Sequence, residues 1–110
     1  MATRTTKTDL ELALVRLCYA TGWTVSVRSK EAIALATASG VPVPAAPWRP
    51  GDATRATLDH VACYGGWTVS LNGGSRNIAG GWPSANRQSA RSMLHSIRFA
   101  VDILTSRRDS

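Results

Sequence analysis

Four basic side chains recur at helical spacing near the end of the chain and are suited to contact phosphate groups. They stand at i, i+4, i+8 and i+11, which places them on one narrow face of a helix. No acidic residue lies between Asp59 and Asp102, so this charge is uncompensated in the sequence. Such a stripe can follow a nucleic-acid backbone, and each phosphate contact adds salt-dependent affinity. Together with a basic residue of a preceding hairpin, the residues expected to contact nucleic acid are Arg76, Arg87, Arg91, His95 and Arg98.

The same stripe has two other interpretations. An exposed helix commonly carries arginine without any ligand, and a basic face can also dock on an acidic protein surface. Asp102 stands at the end of the stripe and reduces its net charge. The sequence leaves these alternatives open.

The groups suited to acid–base catalysis are few and scattered. The two histidines are His60 and His95, and the carboxylates nearest to His60 in the sequence are Asp52 and Asp59. Adjacent residues such as Asp59 and His60 point in different directions on a helix. The chain has no CxxC pair, no HxxE-type metal spacing, no Walker loop and no nucleophile elbow. We therefore expect a protein that is not an enzyme, with no catalytic residue, no metal site and no cofactor.

Several apolar residues fall outside the expected core faces. The first helix is apolar nearly all round, so it is either sandwiched within the fold or partly covered by a second copy of the protein. On the last helix, two apolar residues stand four apart and outside the main stripe, where they could cover a sheet edge or bind a partner. The residues expected at a partner or homodimer contact are Leu12, Val15, Tyr19, Phe99 and Ile103.

A pentapeptide that occurs twice organises the elements that carry these residues. Residues 22–26 and 66–70 both read Gly-Trp-Thr-Val-Ser, and each copy follows a Cys-Tyr pair. The alternation of apolar and polar residues predicts a half-buried strand in each copy. We therefore interpret the two halves of the chain as one unit written twice.

In the first half, a helix is predicted to start at Thr8, where Thr8 and Glu11 match a capping box. Residues 31–38 are ambiguous, because Ala and Glu favour helix while the alternation of Ile33 and Leu35 with Ala fits a strand. Since the matching region of the second half is short and punctuated by glycine, we interpret residues 31–38 as the return strand of a hairpin.

In the second half, Asp52 or Thr54 is predicted to cap a helix that runs to about residue 64. The second pentapeptide then enters a glycine-rich turn at residues 72–75, and residues 76–79 return as its partner strand. The last helix is predicted over about residues 84–105. Its broad inward stripe is expected to consist of Ala90, Met93, Leu94, Ile97, Ala100, Val101 and Leu104.

The expected fold class is therefore α+β, with the order α-ββ-α-ββ-α. After a flexible tail at residues 1–7, a single domain covers residues 8–106 in two similar halves, about 8–50 and 51–106. Two hairpins would form one antiparallel sheet with helices packed on its apolar face, leaving the Thr/Ser/Arg face open to solvent or a ligand.

Composition agrees with a small basic globular protein. The chain has 110 residues, a net charge of +6 and 44% hydrophobic residues. The N-terminus lacks the apolar run of a signal peptide, and no stretch reaches the ~18 apolar residues that a membrane span needs. We expect a cytoplasmic protein without membrane contact, in which Cys18 and Cys63 stay reduced and act as small apolar filler. The four tryptophans are expected to pack rather than to stack on bases.

The first half resembles the HicA-type mRNA-interferase toxins over about residues 10–64. The shared pattern is a helix, Gly22-Trp23 opening a strand, a return strand, and Val-Pro-Val-Pro at residues 41–44 before another helix. The resemblance implies a dsRNA-binding-like fold and affinity for RNA. The catalytic His of those toxins is replaced by Ser29-Lys30 in the first copy and by residues 74–76 in the second. The resemblance therefore does not carry ribonuclease activity with it.

The final third is similar to small accessory proteins of actinobacteriophages. The pattern is a strand at residues 67–71, Gly73-Gly74, Gly-Trp-Pro-Ser at residues 81–84, and an amphipathic helix at residues 85–104. This resemblance implies an interaction protein of phage origin, active in the cytoplasm of the bacterial host cell. We expect a non-enzymatic protein that binds nucleic acid through its basic helix face. The alternatives are a host-takeover factor that binds and modulates a host protein, and a HicA-like ribonuclease.

Overall fold

The fold, taken from a computed structural model, is described for residues 5–61, 66–72 and 89–109. Three strands form a mixed sheet in the order β1-β2-β3, with β1 parallel to β2 and β3 antiparallel to β2. The prediction of an α+β protein is confirmed, whereas the sheet is not purely antiparallel. The elements in chain order are α1 (Lys7–Thr21), β1 (Thr24–Ser26), α2 (Lys30–Ser39), β2 (Arg55–Val61), β3 (Gly66–Asn72) and α3 (Ala90–Asp109).

Helix α1 begins one residue before the predicted start because a different threonine caps it. The hydroxyl of Thr6 accepts a hydrogen bond from the Asp9 backbone N–H at 3.2 Å. In return, the Asp9 carboxylate accepts one from the Thr6 backbone N–H at 2.9 Å. This capping box satisfies two N–H groups that the helix cannot bond internally. The prediction that paired Thr8 with Glu11 was wrong, and Glu11 is buried instead.

The buried side of α1 forms the centre of the core. Leu10, Leu14 and Leu17 have no exposed surface, and the helix contacts α2, α3, β1 and β2. It ends at Gly22, whose left-handed backbone (φ 83°) lets its N–H donate to the Cys18 carbonyl at 2.8 Å. Of the two interpretations of this apolar helix, the structure therefore supports packing between other elements of the fold.

The two faces of the sheet differ in polarity. Residues paired across neighbouring strands point to the same face. Val25 pairs with Ala56, and Leu58 pairs with Val69, on the face that joins the core. The opposite face is polar and at least partly exposed, and it carries Thr24, Ser26, Arg55, Thr57, Asp59, Thr68, Ser70 and Asn72.

The segment interpreted as a return strand is helical. Residues 31–38 lie within α2, which Ser29 caps by accepting a hydrogen bond from the Ala32 N–H at 3.3 Å. The helix ends at Gly40 (φ 77°), and the Val41 N–H donates to the Ala36 carbonyl at 2.8 Å. The high helix propensity of alanine and these two caps outweigh the apparent alternation.

The segment predicted as the second helix is a strand. Residues 55–61 form β2, whose alternating apolar and polar residues match a half-buried strand and whose backbone pairs with both neighbours. Asp52 does not cap a helix. Its carboxylate accepts a hydrogen bond from the Arg49 N–H at 2.9 Å and closes a turn before the strand.

The internal duplication is not confirmed. Both pentapeptides contribute strands, but α1 precedes the first copy and β2 precedes the second. The strand from the first copy spans three residues, and the strand from the second spans seven. Within the described residues the order is therefore α-β-α-β-β-α, which does not show one unit repeated.

Part of the last third lies outside the described residues. This part includes the predicted turn after Asn72, the return strand at residues 76–79 and the predicted start of the last helix. Within α3, Met93, Ile97 and Ala100 are buried, which agrees with the predicted inward stripe. No helix in the described part of the chain is long and apolar enough to cross a membrane.

Three tryptophans fall in described segments. Trp23 and Trp67 are half-buried and pack against the core cluster, as predicted. Trp48 precedes a strand rather than the predicted helix, and its indole N–H donates to the Ala53 carbonyl at 3.1 Å. Their burial favours packing over base stacking, as the sequence suggested.

Replacing Gly40 with alanine should destabilise the fold by about 1 kcal/mol, because an L-residue is strained in the left-handed region. A Cβ at this position would meet no atom within 4 Å, so backbone strain is the whole cost. Denaturant unfolding of G40A measures it. The matched variant G40N should lose less, since asparagine tolerates this conformation. An unchanged midpoint for G40A would contradict the cap.

Burial raises the pKa of the Cys18 thiol to about 12. An unfolded thiol has a pKa of about 8.5, so the folded state holds the proton more tightly. The stability from the protonated thiol is complete below about pH 8.5 and is lost as the pH rises toward 12.

In a Cys63→Ala background at pH 8, a thiol reagent should therefore label folded Cys18 far more slowly than the same protein in denaturant. Equal labelling rates in the folded and denatured protein would show that Cys18 is accessible.

Candidate functional site

The exposed face of α3 carries three of the residues predicted to bind nucleic acid. Arg91, His95 and Arg98 are exposed and lie along one side of the helix. Arg76 and Arg87 lie outside the described residues. The structure thus brings together all the predicted contact residues that it describes.

A groove between α1 and α3 runs beside this face. It consists of two adjoining cavities of about 290 and 440 Å³, both lined by Asp9 and Arg98. Arg16 of α1 lines the first cavity, while Arg91 and His95 line the second. Two helices therefore supply cations to one groove, which we call the basic groove. Arg16 was not among the predicted contact residues, because nothing in the sequence shows which helix packs beside α3.

The acidic residues of the basic groove offset part of its charge. The Asp9 carboxylate is held by the Thr6 N–H within the capping box, and Asp102 is exposed. Within the described ranges, Arg16, Arg91 and Arg98 form no ion pair with a carboxylate. All three side chains are exposed.

The residues predicted for a partner contact do not form one patch. Val15 has no exposed surface and packs in the core, so it offers nothing to a partner. Tyr19 is 60% exposed and Phe99 is 55% exposed. Leu12 lines the basic groove, whereas Phe99 follows the groove-lining His95 by one helical turn and lies about 40° further around α3 at 100° per residue. Ile103 is half-buried on the same flank as Phe99.

A second cleft lies at the carboxyl ends of the parallel strands β1 and β2. It has a volume of about 220 Å³, and residues from α1, from the end of β1 and from β2 line it. We call it the strand-end cleft. Its ionisable residues are Lys7, Glu11, Arg28, Asp59 and His60.

Glu11 is the buried polar residue of the described core, with only 2% of its surface exposed. One carboxylate oxygen (Oε2) accepts a hydrogen bond from the Arg28 backbone N–H at 2.7 Å. This bond gives the buried carboxylate a backbone donor and fixes its orientation. Glu11 was predicted to complete a helix cap; instead it joins α1 to the segment that follows β1.

Two other contacts order the rim of the strand-end cleft. The Asp59 carboxylate accepts a hydrogen bond from the Ser70 hydroxyl at 2.9 Å. The rings of His60 and Trp67 lie 4.6 Å apart at an angle of 44°. Among the described residues, no group of three His, Cys, Asp or Glu residues has the arrangement of a metal site.

Comparisons with protein families, curated proteins and solved structures gave no significant match to this chain.

Replacing Glu11 with alanine should cost about 1–3 kcal/mol, because the Arg28 N–H loses its acceptor inside the protein. Glu11→Gln keeps an acceptor oxygen and nearly the same volume, so its loss should be smaller. Denaturant unfolding of both variants checks the difference. Equal destabilisation by the two variants would show that the hydrogen bond contributes nothing.

Proposed function

We propose that this protein binds nucleic acid by placing the phosphate backbone along the basic groove. The observation that carries the proposal is the convergence of Arg16 from α1 with Arg98 from α3 in one cavity. Arg91 and His95 extend this surface along α3. Arg76 and Arg87 belong to the proposal on the sequence pattern alone.

The chemistry of these side chains favours binding over catalysis. A guanidinium group stays protonated throughout the physiological range, so it holds charge and donates hydrogen bonds but does not transfer protons. Its planar donor fork matches the geometry of phosphate oxygens. A groove to which two helices contribute arginines is therefore suited to hold a backbone in place, and we propose a non-enzymatic role.

The net charge of the chain supports the same proposal. At +6, the whole protein attracts a polyanion, and exposed arginines on two helices give that attraction a location. Phosphate contacts carry no sequence information, so we expect binding that depends strongly on salt and weakly on sequence.

Reversing Arg91 and Arg98 to glutamate should abolish most of the binding to a labelled oligonucleotide. Two phosphate contacts contribute a slope of about 1.4 for single strands and about 1.8 for duplex in a plot of log affinity against log salt. Titrations by fluorescence anisotropy at several salt concentrations measure both the affinity and the slope. Arg16→Glu alone should weaken binding about as much as Arg98→Glu alone.

The matched control is Arg49→Glu, which makes the same charge change at an exposed loop residue outside the groove. This variant should retain the wild-type salt slope. Binding that survives the reversal of Arg91 and Arg98, or that falls equally in all variants, would refute the proposal.

A second candidate function is the binding of a protein partner, such as a host protein. The exposure of Tyr19 and Phe99 favours it, because large aromatic side chains on a surface often anchor protein interfaces. Such a complex should tolerate salt. Alanine at these two positions should weaken it without changing any binding to oligonucleotides.

A further inference from the structure

The strand-end cleft lies on the opposite side of α1 from the basic groove. Asp9 lines the groove and Glu11 lines the cleft. Side chains two positions apart on a helix point about 160° away from each other. The cleft also lies where β1, which is joined to β2 through α2, ends beside Thr57 while β2 continues to Val61. In open α/β sheets, the carboxyl ends of parallel strands are the usual place for ligands.

A residue with a buried carboxylate lines the inner part of this cleft. Glu11 is almost fully buried, yet it lines the cavity. Its Oε2 atom is held by the Arg28 N–H, and a carboxylate has about four acceptor positions in all. The remaining acceptor capacity suits a ligand that donates an N–H group. The exocyclic amino groups of nucleobases are such donors.

An aromatic pair borders the same cleft. His60 is exposed and lines the cavity, and its ring contacts that of Trp67. The contact with the half-buried indole restricts the imidazole ring. Aromatic side chains in such positions stack on unpaired bases, and each stacked base contributes substantial affinity.

Two cations complete the rim. Lys7 and Arg28 are both exposed and line the cavity, and each can contact a phosphate oxygen. The opposing carboxylate of Asp59 is engaged by the Ser70 hydroxyl. One cleft therefore combines an acceptor for an amino group, an aromatic surface and cations for a phosphate.

We infer that the strand-end cleft binds a nucleotide whose base carries an exocyclic amino group. The Glu11 carboxylate accepts from that amino group, the base lies against His60, and Lys7 and Arg28 contact the phosphate. This site is separate from the basic groove, and the inference does not rest on the function proposed for that groove.

The simplest probe is adenosine monophosphate, titrated into the full chain while the NMR signals of the Trp67 indole and the His60 ring are followed. Both sets of signals should shift together and saturate. Exchanging Lys7 and Arg28 for glutamine should weaken the binding of adenosine monophosphate several-fold. The affinity for adenosine should not change, because adenosine has no phosphate group. Absence of any shift at millimolar nucleotide would overturn the inference.

Glu11→Gln gives the sharpest test. The Arg28 N–H keeps the amide oxygen on its side, so the amide NH₂ group faces the cleft. A donor then meets the amino group of adenine, and affinity for adenosine monophosphate should fall about tenfold. Inosine monophosphate has a carbonyl oxygen at that position, so its affinity should hold or rise. Equal weakening of both nucleotides would overturn the assignment of Glu11.

The nucleotide can be free or part of a single strand, and competition separates these sources. If an oligoadenylate strand displaces adenosine monophosphate, the cleft binds a nucleotide that is part of a strand. If it does not, the cleft binds the free nucleotide. Reversal of Arg91 and Arg98 should leave adenosine monophosphate binding unchanged. If oligonucleotides bind with the expected salt slope but adenosine monophosphate does not bind, the inference about the strand-end cleft is wrong while the proposal for the basic groove stands.

Discussion

The burial of α1 on several sides is the constraint on which the rest of the structure depends. Leu10, Leu14 and Leu17 are fully enclosed, and the helix contacts both flanking helices and two strands. Each such leucine contributes about 1.5–3 kcal/mol through the surface removed from water. No neighbouring element can move away from α1 without exposing part of this surface. The positions of α2, α3 and the sheet are therefore coupled through one helix.

This central position also produces both candidate sites. One flank of α1 meets α3 and creates the basic groove, and another meets the ends of β1 and β2 and creates the strand-end cleft. Asp9 and Glu11 differ by two positions but serve opposite sides. Asp9 holds the helix cap, whereas Glu11 is bonded to the backbone beyond β1. Two acidic residues close in sequence therefore have unrelated roles.

The repeated pentapeptide shows how far local sequence can specify structure. Both copies contribute a strand, because the alternation of Trp, Val and polar residues suits a half-buried sheet position. What precedes each copy differs, since residues 7–21 are helical and residues 55–61 are extended. Similar motifs thus occur in dissimilar surroundings, and a matching pentapeptide did not justify transferring the element order from one half to the other.

The sequence by itself determined the α+β class, the first helix, the strands of both pentapeptides, and the inward stripe of the last helix. These features depend on periodicity and chain neighbours, which are local. It also placed Arg91, His95 and Arg98 on one exposed face, because helical spacing alone decides that. Residues 31–38 were misread because their alanines allow either state, and the caps at Ser29 and Gly40 decided for helix.

Only the tertiary structure decided the strand partners of β2 and the composition of the two sites. Residues 55–61 become a strand because β1 and β3 flank them and supply backbone partners. Arg16 joins Arg98, and Glu11 joins His60, because distant segments pack around α1. Such pairings depend on which surfaces meet when the core closes, and no local pattern encodes the position of a neighbour that lies tens of residues away.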